Sequence, residues 1–141
     1  MKLKIKKLHP DAIMPNYAHP GDAGLDLRSI SKHKIKPGEL FGISTGISME
    51  IPKGYVGLIW DKSGLAIKYG LKMMGGVIDS GYRGDVIVGM INLSKKIYTI
   101  EKGDKVAQML IQKVQTVTPV EVKILSDTHR GTKNLGSTGR K

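Results

Sequence analysis

A chain of 141 residues suits one compact domain and leaves no room for a catalytic domain beside a separate regulatory one. Hydrophobic residues make up 40% of it and charged residues 25%, the composition of a folding globular protein, and its apolar stretches fall far short of the roughly 20 residues that cross a bilayer. Lys and Arg total 23 against 12 acidic residues, a net charge of +11 that favours an anionic partner, while the absence of cysteine excludes disulfides, thiolate metal sites and cysteine nucleophiles.

The opening residues, MKLKIKKLHP, are basic but lack the apolar core and small-residue cleavage site of a secretory signal, so they read as the start of the fold of a soluble, cytoplasmic protein. Leu3 and Ile5 alternate with Lys2, Lys4 and Lys6, the period of a half-buried strand. Turn signals follow at 19–22, 36–39, 52–54, 80–82 and 101–104, each built on Gly with Pro, Asp, Glu, Lys or Ser. Short aliphatic or β-branched runs lie between or beyond them at 40–47, 55–60, 86–91, 106–114 and 117–125. Many short strands at such spacing predict an all-β, jelly-roll-like distorted barrel rather than alternating β-α units. One segment reads as a helix, with Ser63 as N-cap, Leu65 to Lys68 within it and Gly70 as its stop. From Ser126 onward the sequence has almost no apolar content, which divides the chain into a β domain over 1–125 and a flexible, glycine-rich arm over 126–141.

Five blocks combine glycines with charged or hydroxyl residues beyond the needs of strands and turns. In AGLDL, Asp26 stands between two leucines, either as an edge solubiliser or as a carboxylate holding magnesium-bound waters. DKSGLA places Lys62, Ser63 and Gly64 at the start of the short helix, where free N–H groups receive phosphate, although a serine cap needs no ligand. GGVIDSGYRG reads as strand, tight turn, strand. Its glycines admit a planar ligand against the backbone, and Asp79 at the bend beside Tyr82 is either a general base toward water or a turn-capping carboxylate. GDKVAQ leads from a turn to Gln108, a side chain able to donate and accept. Arg130-Gly131 and the later run Gly136-Ser137-Thr138-Gly139 offer a fork, backbone N–H groups and two hydroxyls to an anion.

In order and spacing, AGLDL, KSGLA, GGVIDSGYRG, GDKVAQ and RG…LGSTG resemble the five motifs of the trimeric dUTP pyrophosphatase family across nearly the whole chain. The resemblance implies a homotrimer with shared active sites, a dUTP substrate, Mg2+ as cofactor, and hydrolysis to dUMP and pyrophosphate. The third block would come from one subunit, the first, second and fourth from another, and the tail from the remaining one. It further implies that Asp79 orients and deprotonates the attacking water, and that Tyr82 packs against the deoxyribose. The backbone from Gly76 through Val77 and Ile78 to Tyr82 would read uracil. Ser63 and Gly64 would hold the leaving pyrophosphate, with Lys62 gripping phosphate, Gln108 contacting phosphates and Asp26 anchoring magnesium through water. Arg130, Ser137 and Thr138, beside Gly136, would close over the γ-phosphate. Two residues depart from the family pattern. Lys62 stands where Arg is usual and keeps the charge without the bidentate fork, and Leu135 stands where Phe is usual and cannot stack on a base.

Three other readings are weighed against this one, of which a pseudoenzyme binding a protein partner is opposed by the presence of Asp79, Ser63 and Gln108 together. The related dCTP deaminases carry a proton-carrying glutamate shortly after the third motif, where this chain has Gly89. A basic β-barrel binding single-stranded nucleic acid fits the charge but needs aromatic platforms, and the chain has one Trp, one Phe and five Tyr.

Overall fold

The computed structural model describes residues 1–132, and among them eleven strands and one helix. A sheet ordered β2-β11-β6-β8 is built from β2 (Leu25–Arg28), β6 (Tyr55–Trp60), β8 (Val77–Ile78) and β11 (Lys105–Lys113). A second, ordered β4-β9-β7, is built from β4 (Leu40–Ser44), β7 (Leu71–Met74) and β9 (Ile87–Asn92). Two small ladders complete the body: β1 (Lys4–Lys7) with β5 (Ile47–Glu50), and β3 (His33–Ile35) with β10 (Tyr98–Ile100). Every pairing is antiparallel. The architecture is therefore all-β with one short helix, as the spacing of turn signals predicts, but the strands divide among separate small sheets rather than closing into a barrel.

The core lies where inward residues of these sheets meet. Leu27, Ile35, Ile43, Ile47, Leu71, Val88, Met90, Ile100 and Met109 are all essentially buried and belong to one cluster. Burial of each large aliphatic side chain contributes about 1.5–3 kcal/mol. Asn92 is one of several buried polar residues, and its side-chain amide donates to Ile35 O (2.9 Å) and Lys96 O (2.8 Å), which ties the β9 end to the β3–β10 ladder.

The structure departs from the sequence reading in four places. The run at 40–47 is broken at Thr45 and Gly46 into β4 and the start of β5, two strands that enter different sheets. Helix α1 covers Ser63–Tyr69, so the N-cap position falls on Lys62, which makes no side-chain capping bond; Gly70 ends the helix in the left-handed region, φ 69°, as read. The third block is not a strand–turn–strand hairpin, because β8 joins β6 while residues 79–84 form no strand and the next strand, β9, joins β4 and β7. Residues 117–125, read as a strand, form none. Val117, Val120, Ile124 and Leu125 are each at least three-quarters exposed, since nothing among the described residues covers them. No helix among the described residues is long and apolar enough to cross a membrane.

Candidate active site

Strand β11 assembles the first half of the site by register. Its Gln108 lies opposite Asp26 of β2 on one side and Trp60 of β6 on the other, so the first, second and fourth blocks converge on one row. Gln108 Nε2 donates to Asp61 O at 2.8 Å, holding the segment that leads into α1. The Asp61 carboxylate fixes the same segment from the other side, accepting from Met73 N (2.7 Å) and Lys72 Nζ (2.6 Å). Lys62, Ser63 and Gly64 are thus held at the entry of α1, with Ser63 and Gly64 exposed.

Asp26 is buried, and its two oxygens face two ammonium groups: Lys62 Nζ at 2.5 Å from Oδ1 and Lys105 Nζ at 2.6 Å from Oδ2. Lys105 reaches it because of a β-bulge. The register of β11 against β2 shifts between Lys105 and Ala107, which places Lys105 opposite Arg28, on the face of Asp26 and Gln108 rather than the opposite one. Burial is the largest influence on the Asp26 carboxyl and pushes its pKa up; the two lysines together outweigh it, and the net shift is downward. The residue is therefore an ionised carboxylate inside a basic pair, not an edge solubiliser.

The second half of the site is the loop from Gly75 to Val86. Gly76, at φ 108°, accepts a hydrogen bond from Ile59 N at 2.7 Å, and a Cβ there would lie 2.8 Å from Ile59 O, so only glycine lets this backbone lie against β6. Val77 and Ile78 then pair with Leu58 and Gly57. A cleft lined by Leu58, Trp60, Lys72, Gly76 and Val77 runs beside them. Asp79 stands exposed at the head of a turn closed by Tyr82 N donating to Asp79 O at 3.0 Å. Tyr82 is 41% exposed, its hydroxyl donating to Asp85 O at 2.8 Å.

No hydrogen bond or ion pair among the described residues joins the Asp26–Lys62–Gln108 row to the Asp79–Tyr82 turn. Arg130 is exposed in the turn where Gly131 N donates to Thr128 O at 2.9 Å, and Leu135, Gly136, Ser137 and Thr138 lie outside the described residues. Among the described residues no group of three or more His, Cys, Asp or Glu forms a metal cage. A single carboxylate already paired with lysines fits only an ion that keeps its water and takes its direct ligands from phosphate, the ordinary habit of magnesium. Sequence reasoning assigned no role to Lys105 or Asp85. The first is turned inward by a bulge with no residue signature, and the second is held by Ser44, distant in the chain.

Gly89 has a steric identity. It pairs with Met74 in the β7–β9 ladder, and a Cβ at this position would lie 2.7 Å from Met74 O, so β9 has no space for a side chain where a deaminase would carry its glutamate.

The sequence profile of the dUTPase family matches residues 10–139. The deoxyuridine 5'-triphosphate nucleotidohydrolase of Clostridium kluyveri is 45% identical over 141 residues, covering 99% of both chains. That of Trichodesmium erythraeum is 48% identical with the same coverage. Among solved structures, a mutant dUTPase of Staphylococcus bacteriophage 80alpha with dUpNHpp matches with a TM-score of 0.90 and 31% identity, over 98% of each chain. A mutant dUTPase from phage phi11 of S. aureus, described with a structural Mg(II) ion, matches with a TM-score of 0.82 and 29% identity, over 88% of this chain and 98% of that one. With a profile spanning nearly its full length and relatives this similar along it, the chain belongs to the dUTPase family.

Proposed function

We infer that this protein hydrolyses dUTP to dUMP and pyrophosphate. The observation that carries the reading is the exposed Asp79 at the head of a pinned turn, directly after a backbone segment held open by Gly76. A carboxylate so placed accepts a proton from water and aims its oxygen at the α-phosphorus, and a phosphoanhydride asks for little else beyond positioning and charge neutralisation. The backbone of Gly76, Val77 and Ile78 reads the uracil edge, where cytosine presents the reversed donor and acceptor pattern and thymine adds a methyl group. Tyr82 faces the deoxyribose. Ser63 and Gly64 cradle the leaving pyrophosphate. Gly64 is neither in the left-handed region nor within 4 Å of any atom a Cβ would meet, so a close-lying ligand gives its absent side chain a reason.

Lys62 and Gln108 bind phosphate, with Arg130, Ser137 and Thr138 of the arm closing over its far end beside Leu135 and Gly136. The division into a β domain and a C-terminal arm belongs to this reading. Asp26 would hold magnesium through water, and the ion would supply charge neutralisation to the triphosphate. When phosphate takes over the Lys62 ammonium group, Asp26 Oδ1 is released for that second task.

The two halves of the site share no polar contact among the described residues, and residues 117–125 expose a row of aliphatic side chains. Both observations support a homotrimer in which each active site draws on more than one subunit. As a nucleotide hydrolase the protein works in the cytoplasm.

The test is pyrophosphate release from each dNTP and from UTP, with and without magnesium. dUTP turns over in its presence and the other substrates do not. Asp79→Asn is expected to lower kcat by at least about 10³-fold while dUTP still binds. Near-normal turnover of that variant would place the base elsewhere. Ammonia release from dCTP at a comparable rate would favour deamination, against the closed space at Gly89.

A further inference from the structure

We propose that Gly84 and Asp85 are positioning residues for sugar discrimination, fixing the Tyr82 ring at the one height that leaves no space for a 2′-hydroxyl. The proposal rests on the reading of Tyr82 as the residue that faces the deoxyribose, and it adds what makes an exposed ring selective.

A tyrosine on a surface loop ordinarily samples several rotamers, and a ring free to swing yields to an added oxygen. This ring is held at its tip and underneath. Its hydroxyl donates to Asp85 O at 2.8 Å. Below it lies Gly84, where a Cβ would stand 2.5 Å from Tyr82 Oη, 2.7 Å from Cζ and 3.2 Å from Cε2. The glycine is not demanded by the backbone, since residue 84 is not in the left-handed region. It is demanded by the ring, which occupies the space of the missing methyl group.

The anchor is itself anchored. The Asp85 carboxylate accepts from Ser44 Oγ and, at 3.5 Å, from Thr45 Oγ1, while Val86 N donates to Ile47 O at 2.9 Å. On the near side, Arg83 Nη1 donates to Ser80 O and Tyr82 O at 2.8 Å each, and Ser48 Oγ donates to Arg83 O at 2.7 Å. The ring height is thus referred to β4 and β5, in the body of the protein.

Alanine at 84 must lift the ring by about 1 Å to reach ordinary contact distance. The decisive experiment is a double-mutant cycle on Gly84→Ala and Tyr82→Ala, reading the ratio of kcat/KM for dUTP to kcat/KM for UTP, with thermal melts to confirm folding. Gly84→Ala alone is expected to lower that ratio about tenfold, and to leave it unmoved once Tyr82→Ala has removed the ring. A Gly84→Ala variant that slows both substrates in the same proportion, or changes the ratio equally with and without the ring, overturns the proposal. A ratio that collapses in Tyr82→Ala but stands in Gly84→Ala also overturns it, and leaves the sugar reading intact. An unchanged ratio in Tyr82→Ala removes the sugar reading and the proposal together. Should Gly84→Ala not fold, Tyr82→Phe decides: loss of the bond to Asp85 O is expected to lower the ratio about threefold, and an unchanged ratio overturns the proposal.

Discussion

At the scale of single residues, Asp26 shows how far a side chain's role depends on what surrounds it. Between Lys62 and Lys105, which are 28% and 33% exposed, the carboxylate neutralises two partly buried cations. Removing one partner from a fully buried ion pair costs about 3–5 kcal/mol, and with the lysines partly hydrated Asp26→Asn is expected to cost about 2 kcal/mol at neutral pH, measured by denaturant unfolding. The pH dependence has a definite sign. A carboxyl whose pKa is depressed by folding stabilises fully above the ordinary aspartate range and ceases to do so as pH falls through the lowered value. The gap in melting temperature between wild type and Asp26→Asn therefore narrows below about pH 4. A gap that persists unchanged to about pH 2 would deny the ion pairs their role. The blocks single out Asp26 in AGLDL and Asp79, Tyr82 and Gln108 in theirs, and the register of β11 brings Asp26 and Gln108 opposite each other. The lysine partners of Asp26 were not legible, because they come from 36 positions away in one case and across a bulged ladder in the other.

Among elements, those with purely local signals were readable. The run Tyr55–Trp60 is a strand end to end, and the Gly70 stop of α1 lies where the sequence places it. Gly70 is held at φ 69°, its N–H bonded to Ala66 O, and a Cβ there would approach Ser94 N to 3.1 Å. Gly70→Ala should lower stability by about 1–2 kcal/mol, read as a shift in the urea midpoint at unchanged slope. No shift would mean that the helix end relaxes freely. Elements whose state depends on partners were misread. The Thr45-Gly46 break looks from sequence like the middle of a single strand, since only the assignment of β4 and β5 to different sheets requires it. The third block reads as a hairpin because local alternation does not say that β8 joins β6 and that residues 79–84 form no strand.

For the molecule as a whole, the least legible part is residues 117–125, whose strand-like composition is real but has no strand partner among the described residues. Exposed aliphatic side chains in such a row mark a surface for another protein, and the homotrimer proposed above would cover it with a second copy. If the proposed trimer packs through this row, the paired substitution Val120→Glu and Ile124→Glu is expected to give monomers by light scattering and to abolish turnover. A trimer that survives both charges would show that assembly lies elsewhere.

The closed space above Gly89 bears on how chemistry changes within such a fold. Placing an acid on β9 is not a one-codon step, because the backbone of Met74 stands in the way. The β7 and β9 chains must first part, and that ladder also carries Met73 opposite Met90 in the hydrophobic interior. To turn this chain from phosphate cleavage to removal of an exocyclic amine, an engineer has to part these strands before adding the acid at position 89.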